Sequence, residues 1–330
     1  MLPSLRIFSL ALLLSIATRA TLASDPLPSW NDGPVKRAIL AFAEQAADPA
    51  SPKHIPVADR IAVFDNDGTL WPENPIPFQL AFVIDELKRR LPENPAWKEN
   101  PLVTAAVEGR MESILAGGTQ ALIELLDLTH ADVATEEFDR RVRDWLKSAN
   151  HPRFDRRYDT LGYAPMRELL DYLRSRGFKT YIVSGGGQDF MRVWAESVYG
   201  IPPEWVIGSY ARTEYALIDG KPTLTKRPGV EFIDDKAGKP VAIDRFIGRR
   251  PVAAFGNSDG DKAMLEWTTV GRPNTLGVIV HHTDDTREYA YDSAPKSTGK
   301  LIEALKDAPA RGWHVIDIKQ DWNRVFRSGP

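Results

Sequence analysis

The sequence of 330 residues contains no cysteine. Disulfide bonds, thiolate nucleophiles and zinc sites with cysteine ligands are therefore excluded, although the redox compartment is left open. A large excess of one charge is also missing, because 42 basic residues nearly balance 45 acidic ones and the formal net charge is −3. A near-neutral chain gives no electrostatic basis for binding nucleic acid or an anionic membrane. With 43% hydrophobic residues, the chain can bury the core of one large domain or of two smaller ones.

Residues 1–23 have the pattern of a secretory signal peptide. A short segment with one positive charge, Met1–Arg6, precedes the apolar run Ile7–Ile16, and small residues then lead to Ala23. The alternative is a membrane anchor, but the apolar run is too short to span a bilayer comfortably. Because no cysteine stands at the cleavage position, a lipoprotein anchor is excluded. We therefore expect cleavage after Ala23 and an exported protein, periplasmic or secreted, with no stable membrane insertion afterwards.

Two aspartates end the first apolar run of the mature chain. The run Ile61–Phe64 has the length of a buried parallel strand, and Asp65 and Asp67 follow it directly. Ligands of open α/β sheets bind at the carboxyl ends of strands, where a cation would relieve the repulsion between two carboxylates. Asp65 can then act as a nucleophile and Asp67 as a general acid and base, while Gly68 and Thr69 offer donors to a phosphate. The alternative interpretation is an acidic surface loop after a strand.

After this strand the sequence first predicts a run of helices and then, from residue 161, helices that alternate with strands. Apolar residues at helical spacing predict helices over 79–91, 101–116, 119–127 and 135–149. From residue 161 onward helices and strands alternate, which predicts a doubly wound parallel sheet with right-handed crossovers. Predicted helices are 165–176, 188–199 and 240–247; predicted strands are 178–183, 206–209, 251–255, 275–282 and 313–318, with a hairpin over 210–232.

Three further segments in this part carry polar residues beside predicted strands and helices. Ser184 ends a predicted strand and is followed by three glycines, whose amides can approach a phosphate. Lys239 opens a predicted helix, with Lys236 and then Lys226 as the alternatives. The last segment is the loop 256–261, Gly-Asn-Ser-Asp-Gly-Asp, which follows the strand predicted over 251–255 and leads into a helix.

Taken in order, these segments resemble the four motifs of the haloacid dehalogenase-like phosphatase superfamily. The resemblance rests on Asp65-x-Asp67-Gly-Thr, Ser184, Lys239 and the loop 256–261, and the long helical insertion is similar to the cap of the phosphoserine phosphatase-like branch. It implies a Rossmann-like α/β core with an inserted helical cap. The implied divisions are an N-terminal extension at 24–57, a core at 58–75 and 161–330, and a cap at 76–160.

The resemblance also implies roles for individual residues. One position departs from the family pattern, because Asn257 stands where the family usually has a metal-binding aspartate. The implied catalytic residues are Asp65, Asp67, Ser184 and Lys239; the substrate-binding residues are Gly68, Thr69, Gly185 and Gly186; the Mg²⁺ ligands are Asp65, Asp67, Asn257 and Asp261.

The implied function is a Mg²⁺-dependent phosphohydrolase that cleaves small phosphate monoesters through an aspartyl-phosphate. A pyrophosphatase or phosphotransferase would share every motif, and a non-catalytic binding protein on this fold is the alternative from another class. A carbon–halogen hydrolase is disfavoured because it has no need of Asp67. In the cap, Gln79 or Arg110 is a candidate substrate contact. His281 and His282 are poor candidates for a shared metal site, because neighbours on a strand point to opposite faces.

Overall fold

The computed structural model describes residues 24–295 and 298–327. The predicted signal peptide lies outside the described residues. The helices are α1 Pro34–Ala47, α2 Phe78–Arg90, α3 Pro101–Val107, α4 Met111–Ala116, α5 Gly118–His130, α6 Thr135–Ser148, α7 Ala164–Ser175, α8 Gln188–Arg192, α9 Ala195–Tyr199, α10 Gly238–Ile247, α11 Lys262–Thr269, α12 Glu303–Arg311 and α13 Ile318–Asp321. The strands are β1 Ile61–Phe64, β2 Val133–Ala134, β3 Asn150–His151, β4 Arg156–Arg157, β5 Lys179–Gly187, β6 Val206–Ile218, β7 Lys221–Phe232, β8 Ala253–Gly256, β9 Leu276–Thr283, β10 Ala290–Tyr291 and β11 His314–Asp317.

A mostly parallel sheet forms the centre of the fold. Its strand order is β10-β9-β8-β1-β5-β6-β7-β2, and β11 pairs with β9. Strand β1 pairs in parallel with both β5 and β8, so it lies in the middle of the sheet. All four of its residues are buried, which explains why its sequence is a continuous apolar run.

Apolar side chains cover both faces of the sheet. Along β1, Ile61 and Val63 join one buried cluster while Ala62 and Phe64 join the other, as the two-residue period of a strand requires. Helices α10 and α11 supply the first cluster, and α7 supplies the second. The prediction of a doubly wound α/β sheet is confirmed.

Helices α2 to α5 share a separate apolar cluster, which includes Leu87, Val103 and Leu125, whereas α6 packs with the cluster of α7. The helix predicted over 101–116 is in fact two helices, because Gly109 adopts a left-handed conformation with φ of +73°. The helix predicted over 188–199 is likewise divided, into α8 and α9.

The predicted hairpin is present, but it reaches further than the sequence indicated. Strands β6 and β7 turn at Asp219 and Gly220, whose φ values are +52° and +74°. The short strand β2, which lies within the helical insertion, pairs with the outer edge of β7. The main-chain amide of Asp132 also donates to the Lys226 carbonyl at 2.8 Å. The sheet of the core therefore extends into the insertion.

The segment before β1 packs against the end of the chain. The indole rings of Trp30 and Trp322 meet edge to face with centroids 6.0 Å apart. The Ser29 hydroxyl donates to the Glu168 carboxylate at 2.6 Å, which ties this segment to α7. In the described part of the chain, no helix has the length and apolar character needed to cross a bilayer.

Candidate active site

A buried ion-pair cluster lies at the carboxyl end of β1. Lys239, at the start of α10, places its ammonium 2.8 Å from Asp65 Oδ1 and 2.6 Å from Asp261 Oδ1. The same ammonium donates to the Val183 carbonyl of β5 at 2.9 Å. Asp65, Lys239 and Asp261 are all buried. Three donor–acceptor contacts thus fix the lysine beneath the first aspartate.

The structure shows which of the three candidate lysines contacts Asp65. Lys236 is exposed and has a left-handed backbone, so it does not contact Asp65. Lys226 is buried, but it forms an ion pair with Asp189 on α8. Of the three, Lys239 alone meets the first aspartate.

Asp67 lies beside Asp65. One of its oxygens is occupied, and the other faces the glycine loop, which is the irregular end of β5 at Gly185–Gly187. Its Oδ1 accepts hydrogen bonds from Trp71 Nε1 at 2.5 Å and from Asn66 Nδ2 at 3.0 Å. A Cβ built on Gly186 would stand 3.5 Å from Asp67 Oδ2, so this oxygen faces a residue that has no side chain. Burial raises the pKa of Asp67 above its usual value, which favours the protonated form that a general acid requires.

Buried carboxyl groups outnumber buried cations around this centre. Burial, and then the neighbouring Asp261, raises the pKa of Asp65 well above its ordinary value. Burial also raises the pKa values of Glu73 and Asp234 to about 7 each. Burial alone would lower the pKa of Lys239, but the carboxylates of Asp261 and Asp65 outweigh it and raise that pKa. One lysine therefore faces several carboxyl groups, an imbalance that a bound cation would correct.

Asn257 is held from both sides of its amide. Its Oδ1 accepts a hydrogen bond from the Thr69 hydroxyl at 3.2 Å, and its Nδ2 donates to Glu73 Oε1 at 2.6 Å. A carbonyl oxygen is an acceptable ligand for a hard cation, so the predicted metal contact is chemically reasonable at this position. Asn257 carries no charge, but the carboxyl group of its hydrogen-bond partner Glu73 lies beside it.

Asp261 was predicted as a metal ligand, and both of its oxygens accept hydrogen bonds from the protein. One oxygen accepts from Lys239, and the other accepts from the main-chain amides of Asn257 and Ser258 at 2.9 and 3.0 Å. Asp259, the other acid of this loop, accepts from the amides at the start of α12. Asp261 thus positions Lys239 and the loop. Among the described residues, no three His, Asp or Glu side chains are grouped as metal ligands.

Gly68 and Thr69 also differ from the substrate contacts predicted for them. The Gly68 amide donates to the Trp71 carbonyl at 2.8 Å, and the Thr69 amide donates to the Asn66 carbonyl at 3.1 Å. Both donors are therefore used within the turn. Gly68 is required there for its φ of +74° and because a Cβ would lie 2.0 Å from Asn257 Nδ2. Within the turn 65–71, the main-chain amides of Asn66 and Asp67 donate to no acceptor among the described residues.

The second predicted segment lies across from Asp67. Ser184 is buried, and its Oγ accepts the Gly186 amide at 3.2 Å. The Gly185 carbonyl accepts from the Ser209 hydroxyl at 2.8 Å, which fixes the loop from the outside. The structure therefore places Ser184 and Gly186 near Asp67, whereas Gly185 is exposed and faces Asp234 and Asp235.

Of the two cap residues that the sequence offered, Gln79 reaches the site. Its Oε1 accepts the Gly187 amide at 2.7 Å, which joins α2 to the glycine loop. Arg110 instead forms a half-exposed ion pair with Glu108. Residue spacing alone did not distinguish the two.

A second buried network supports the first turn and was not predicted. His282 Nε2 lies 2.7 Å from the Gly68 carbonyl, and His282 Nδ1 lies 2.9 Å from Glu288 Oε2. Since both ring nitrogens face acceptors, both must carry hydrogen, and the ring is an imidazolium. Tyr163 donates to the other oxygen of Glu288 at 3.1 Å. The alternation of β9 indicated that one of its two adjacent histidines would be buried, but not which partner it would meet.

Comparisons with known proteins show what the chain is similar to. A family described as haloacid dehalogenase-like hydrolase matches residues 62–266. A crystal structure of a conserved functionally unknown protein from Anaerococcus prevotii DSM 20548 is similar, with a TM-score of 0.51, 16% identity, and coverage of 81% of this chain and 96% of that one. A crystal structure of a protein of unknown function from Bordetella pertussis Tohama I has a TM-score of 0.49 and 16% identity, with coverage of 78% of this chain and 98% of that one.

A third crystal structure, of a phosphoserine phosphohydrolase-like protein from Francisella tularensis subsp. tularensis SCHU S4, gives a TM-score of 0.41 and 17% identity, with coverage of 79% and 97%. No curated protein matches the chain. At these identities the structural likeness shows the fold alone, and the assignment to a family rests on the match over residues 62–266.

Proposed function

The chain belongs to the haloacid dehalogenase-like hydrolase family, and we propose that it is a phosphohydrolase acting on small phosphate monoesters. The observation that carries this proposal is the placement of Asp65 on Lys239 with Asp67 two residues further on. Both carboxyl groups are buried and both pKa values are raised, but Asp65 contacts the Lys239 ammonium, whereas Asp67 accepts hydrogen bonds from Trp71 and Asn66. Two acids with different environments are what nucleophilic and acid–base roles require.

The reaction follows from these positions. Asp65 attacks phosphorus and forms an acyl phosphate, while Asp67 protonates the departing alkoxide. Asp67 then takes a proton from water, which attacks the acyl phosphate, releases inorganic phosphate and restores Asp65. The Ser184 hydroxyl and the amides of Asn66 and Asp67 donate to the phosphoryl oxygens. Lys239 offsets the negative charge that gathers on Asp65 and the phosphoryl group.

Mg²⁺ is the cofactor that we propose for this site. It would rest on the Asp65 carboxylate, the Asp67 carbonyl and Asn257 Oδ1, all oxygen donors of the kind that Mg²⁺ prefers. When bound, it would neutralise phosphate charge and orient the phosphoryl group. The excess of buried carboxyl groups over buried cations supports a cation here. Asp261 is not included, because its oxygens serve Lys239 and the loop amides.

Release of inorganic phosphate from a panel of phosphate monoesters and pyrophosphate tests the proposal. We expect Mg²⁺-dependent turnover that EDTA stops, and a loss of at least about 10³-fold in kcat for Asp65→Asn. Asp32→Asn is the matched control, because its side chain is 79% exposed and lies on the N-terminal segment. Near-ultraviolet circular dichroism verifies that both variants fold.

Other outcomes would point elsewhere. Transfer of the phosphoryl group to an added alcohol in preference to water would identify a phosphotransferase, and selective cleavage of pyrophosphate a pyrophosphatase. No turnover by folded, metal-loaded protein would leave a non-catalytic binding protein. Export is part of the proposal and is supported by the residue pattern of 1–23; the first residue of protein recovered from the medium or periplasm should be Ser24.

A further inference from the structure

A cavity opens beside the glycine loop, between α5, α6 and the β6–β7 hairpin. We propose that this cavity receives the alcohol part of the substrate, and that this part is uncharged and largely apolar. The inference deepens the proposed phosphohydrolase function and rests on it.

The cavity lies on the side of the site where the leaving group must depart. Gly185, Gly187 and Gln79 belong to its wall. A Cβ built on Gly186 would stand 3.5 Å from Asp67 Oδ2 and 3.9 Å from Gln79 Oε1. Gly186 thus lies between Asp67, the proposed acid for the leaving oxygen, and Gln79, which borders the cavity. A phosphate ester held at Asp65 would extend past Gly186 into this space.

The walls are mostly apolar. The rings of Phe138 and Phe190 are almost fully buried and line the cavity, together with Leu126 and Val230. These side chains come from α5, α6, α8 and β7, so both the cap and the core contribute. Contact with them favours an aromatic or branched hydrocarbon group, because each apolar surface removed from water adds to binding.

The charged groups around the cavity are already paired within the protein. Lys226 forms a buried ion pair with Asp189. Arg227 donates to Asp132 and to Glu214, at 2.8 Å in each case. Neither cation is left to receive a substrate carboxylate.

The remaining titratable groups of the wall do not change this. Asp127 accepts the Gly229 amide at 2.9 Å. Burial, and then Lys226, lowers the pKa of His130 to about 3, so its ring is neutral. Within the described residues, the cavity therefore offers no unpaired cation to a substrate carboxylate, and burying a charged group against its apolar walls would be costly.

Steady-state kinetics on benzyl phosphate and O-phosphoserine tests the proposal. Both release a primary alkoxide, but benzyl phosphate carries an apolar ring where phosphoserine carries two charges. We expect kcat/KM to be at least about 10-fold higher for benzyl phosphate. Equal values, or a preference for phosphoserine, would overturn the proposal.

A pair of variants on β6 locates the effect. Ala211 lines the cavity, whereas Ala216 lies on the same strand, exposed and outside the cavity. Ala211→Phe should lower kcat/KM for benzyl phosphate by about 10-fold or more and leave methyl phosphate nearly unchanged, since only the larger group needs the space. Ala216→Phe should change neither. Equal losses on both substrates in Ala211→Phe would contradict the assignment.

Binding of phosphonates, which cannot be hydrolysed, separates this inference from the proposed function. Calorimetry with Mg²⁺ should show benzylphosphonate binding at least about 10-fold more tightly than 2-amino-3-phosphonopropionate, with the advantage lost in Ala211→Phe. If no ester is turned over but this preference holds, the cavity proposal is supported and the phosphohydrolase function is contradicted. If esters are turned over without this preference, the phosphohydrolase function is supported and the cavity proposal is contradicted.

Discussion

At the scale of single residues, Asn257 and Glu73 act as a pair. Tyr291 and Thr298 donate to the Glu73 carboxylate at 2.7 and 2.6 Å, and Asn257 donates to it at 2.6 Å. The negative charge missing from Asn257 is thus present one hydrogen bond away. An aspartate at 257 would place two carboxylates in contact and remove a donor from Glu73.

Asn257→Asp should therefore make the protein less stable without metal and more responsive to Mg²⁺. We expect the free energy of unfolding in EDTA to fall by about 2–3 kcal/mol, because a buried donor is replaced by a like charge. Saturating Mg²⁺ should restore more stability to this variant than to the wild type, since a bound ligand stabilises according to its affinity. Urea denaturation with and without Mg²⁺ measures both quantities.

The control for this prediction is the double variant Asn257→Asp with Glu73→Gln, which removes the opposed charge. It should recover most of the stability lost in EDTA. Equal stabilisation of wild type and Asn257→Asp by Mg²⁺ would show that residue 257 lies outside any metal site.

The sequence located the residues proposed to react better than it located the contacts that support them. Asp65, Ser184 and Lys239 could be predicted because strand ends and helix starts are visible as breaks in apolar runs. The role of Asp261 could not, because it depends on which of its oxygens meets Lys239 and which meets the loop amides. Such hydrogen bonds are fixed by tertiary placement, which a residue pattern does not contain.

At the scale of elements, β9 supports the catalytic turn from behind. Its penultimate residue, His282, links the Gly68 carbonyl to Glu288 in the segment after the strand. Both His282 and Glu288 are buried, so the charged pair depends on its own contacts rather than on water. The turn that carries Asp67 is therefore held by an element distant in sequence.

Glu288→Gln should weaken this support. Leaving the imidazolium without its counter-charge is expected to lower the free energy of unfolding by about 3 kcal/mol, as for other broken buried ion pairs. We also expect kcat for phosphate release to fall while KM changes little, because the turn positions Asp67 rather than binding the leaving group. His281→Gln, on the opposite face of β9, is the control and should alter neither quantity.

Denaturant unfolding and steady-state kinetics, both at a temperature where every variant is folded, measure these effects. An unchanged kcat in a destabilised Glu288→Gln variant would reduce the network to a purely structural role.

Elements differed in how far the sequence determined them. The β6–β7 hairpin was predicted because Asp219-Gly220 supplies the left-handed turn between two β-rich flanks. The pairing of β2 with β7 was not, since a strand of two residues has no period to detect. The break at Gly109 was missed because the apolar spacing on both sides of it fits one continuous helix.

At the scale of the whole molecule, the fold buries an excess of carboxyl groups over cations at one end of its sheet. Burial raises the pKa values of Asp65, Asp67, Glu73 and Asp234. The folded protein therefore binds more protons than the unfolded chain between the ordinary and the raised values of these groups. Stability must then fall as the pH rises through that interval.

The imidazolium of His282 changes stability in the same direction. Burial opposes its charge, but Glu288 and then Glu73 outweigh burial and raise the pKa of His282. Its stabilising contribution is complete below the pKa of an unfolded histidine and is lost as the pH rises through the folded value.

Metal-free protein should thus lose stability as the pH rises from about 4.5, the ordinary pKa of a glutamate, to about 7, the raised pKa of Glu73. Glu73 alone accounts for about 3 kcal/mol of this loss, at about 1.4 kcal/mol for each pKa unit. Glu73→Gln should flatten the dependence by that amount, whereas Glu93→Gln, which is exposed on the cap, should leave it unchanged. Saturating Mg²⁺ should reverse the trend near neutral pH, because the ion favours the ionised carboxylates. Urea denaturation from pH 4.5 to 8, in EDTA and in Mg²⁺, measures the free energy of unfolding. If this free energy rises with pH in the metal-free protein, the excess of buried carboxyl groups that supports the metal proposal is contradicted.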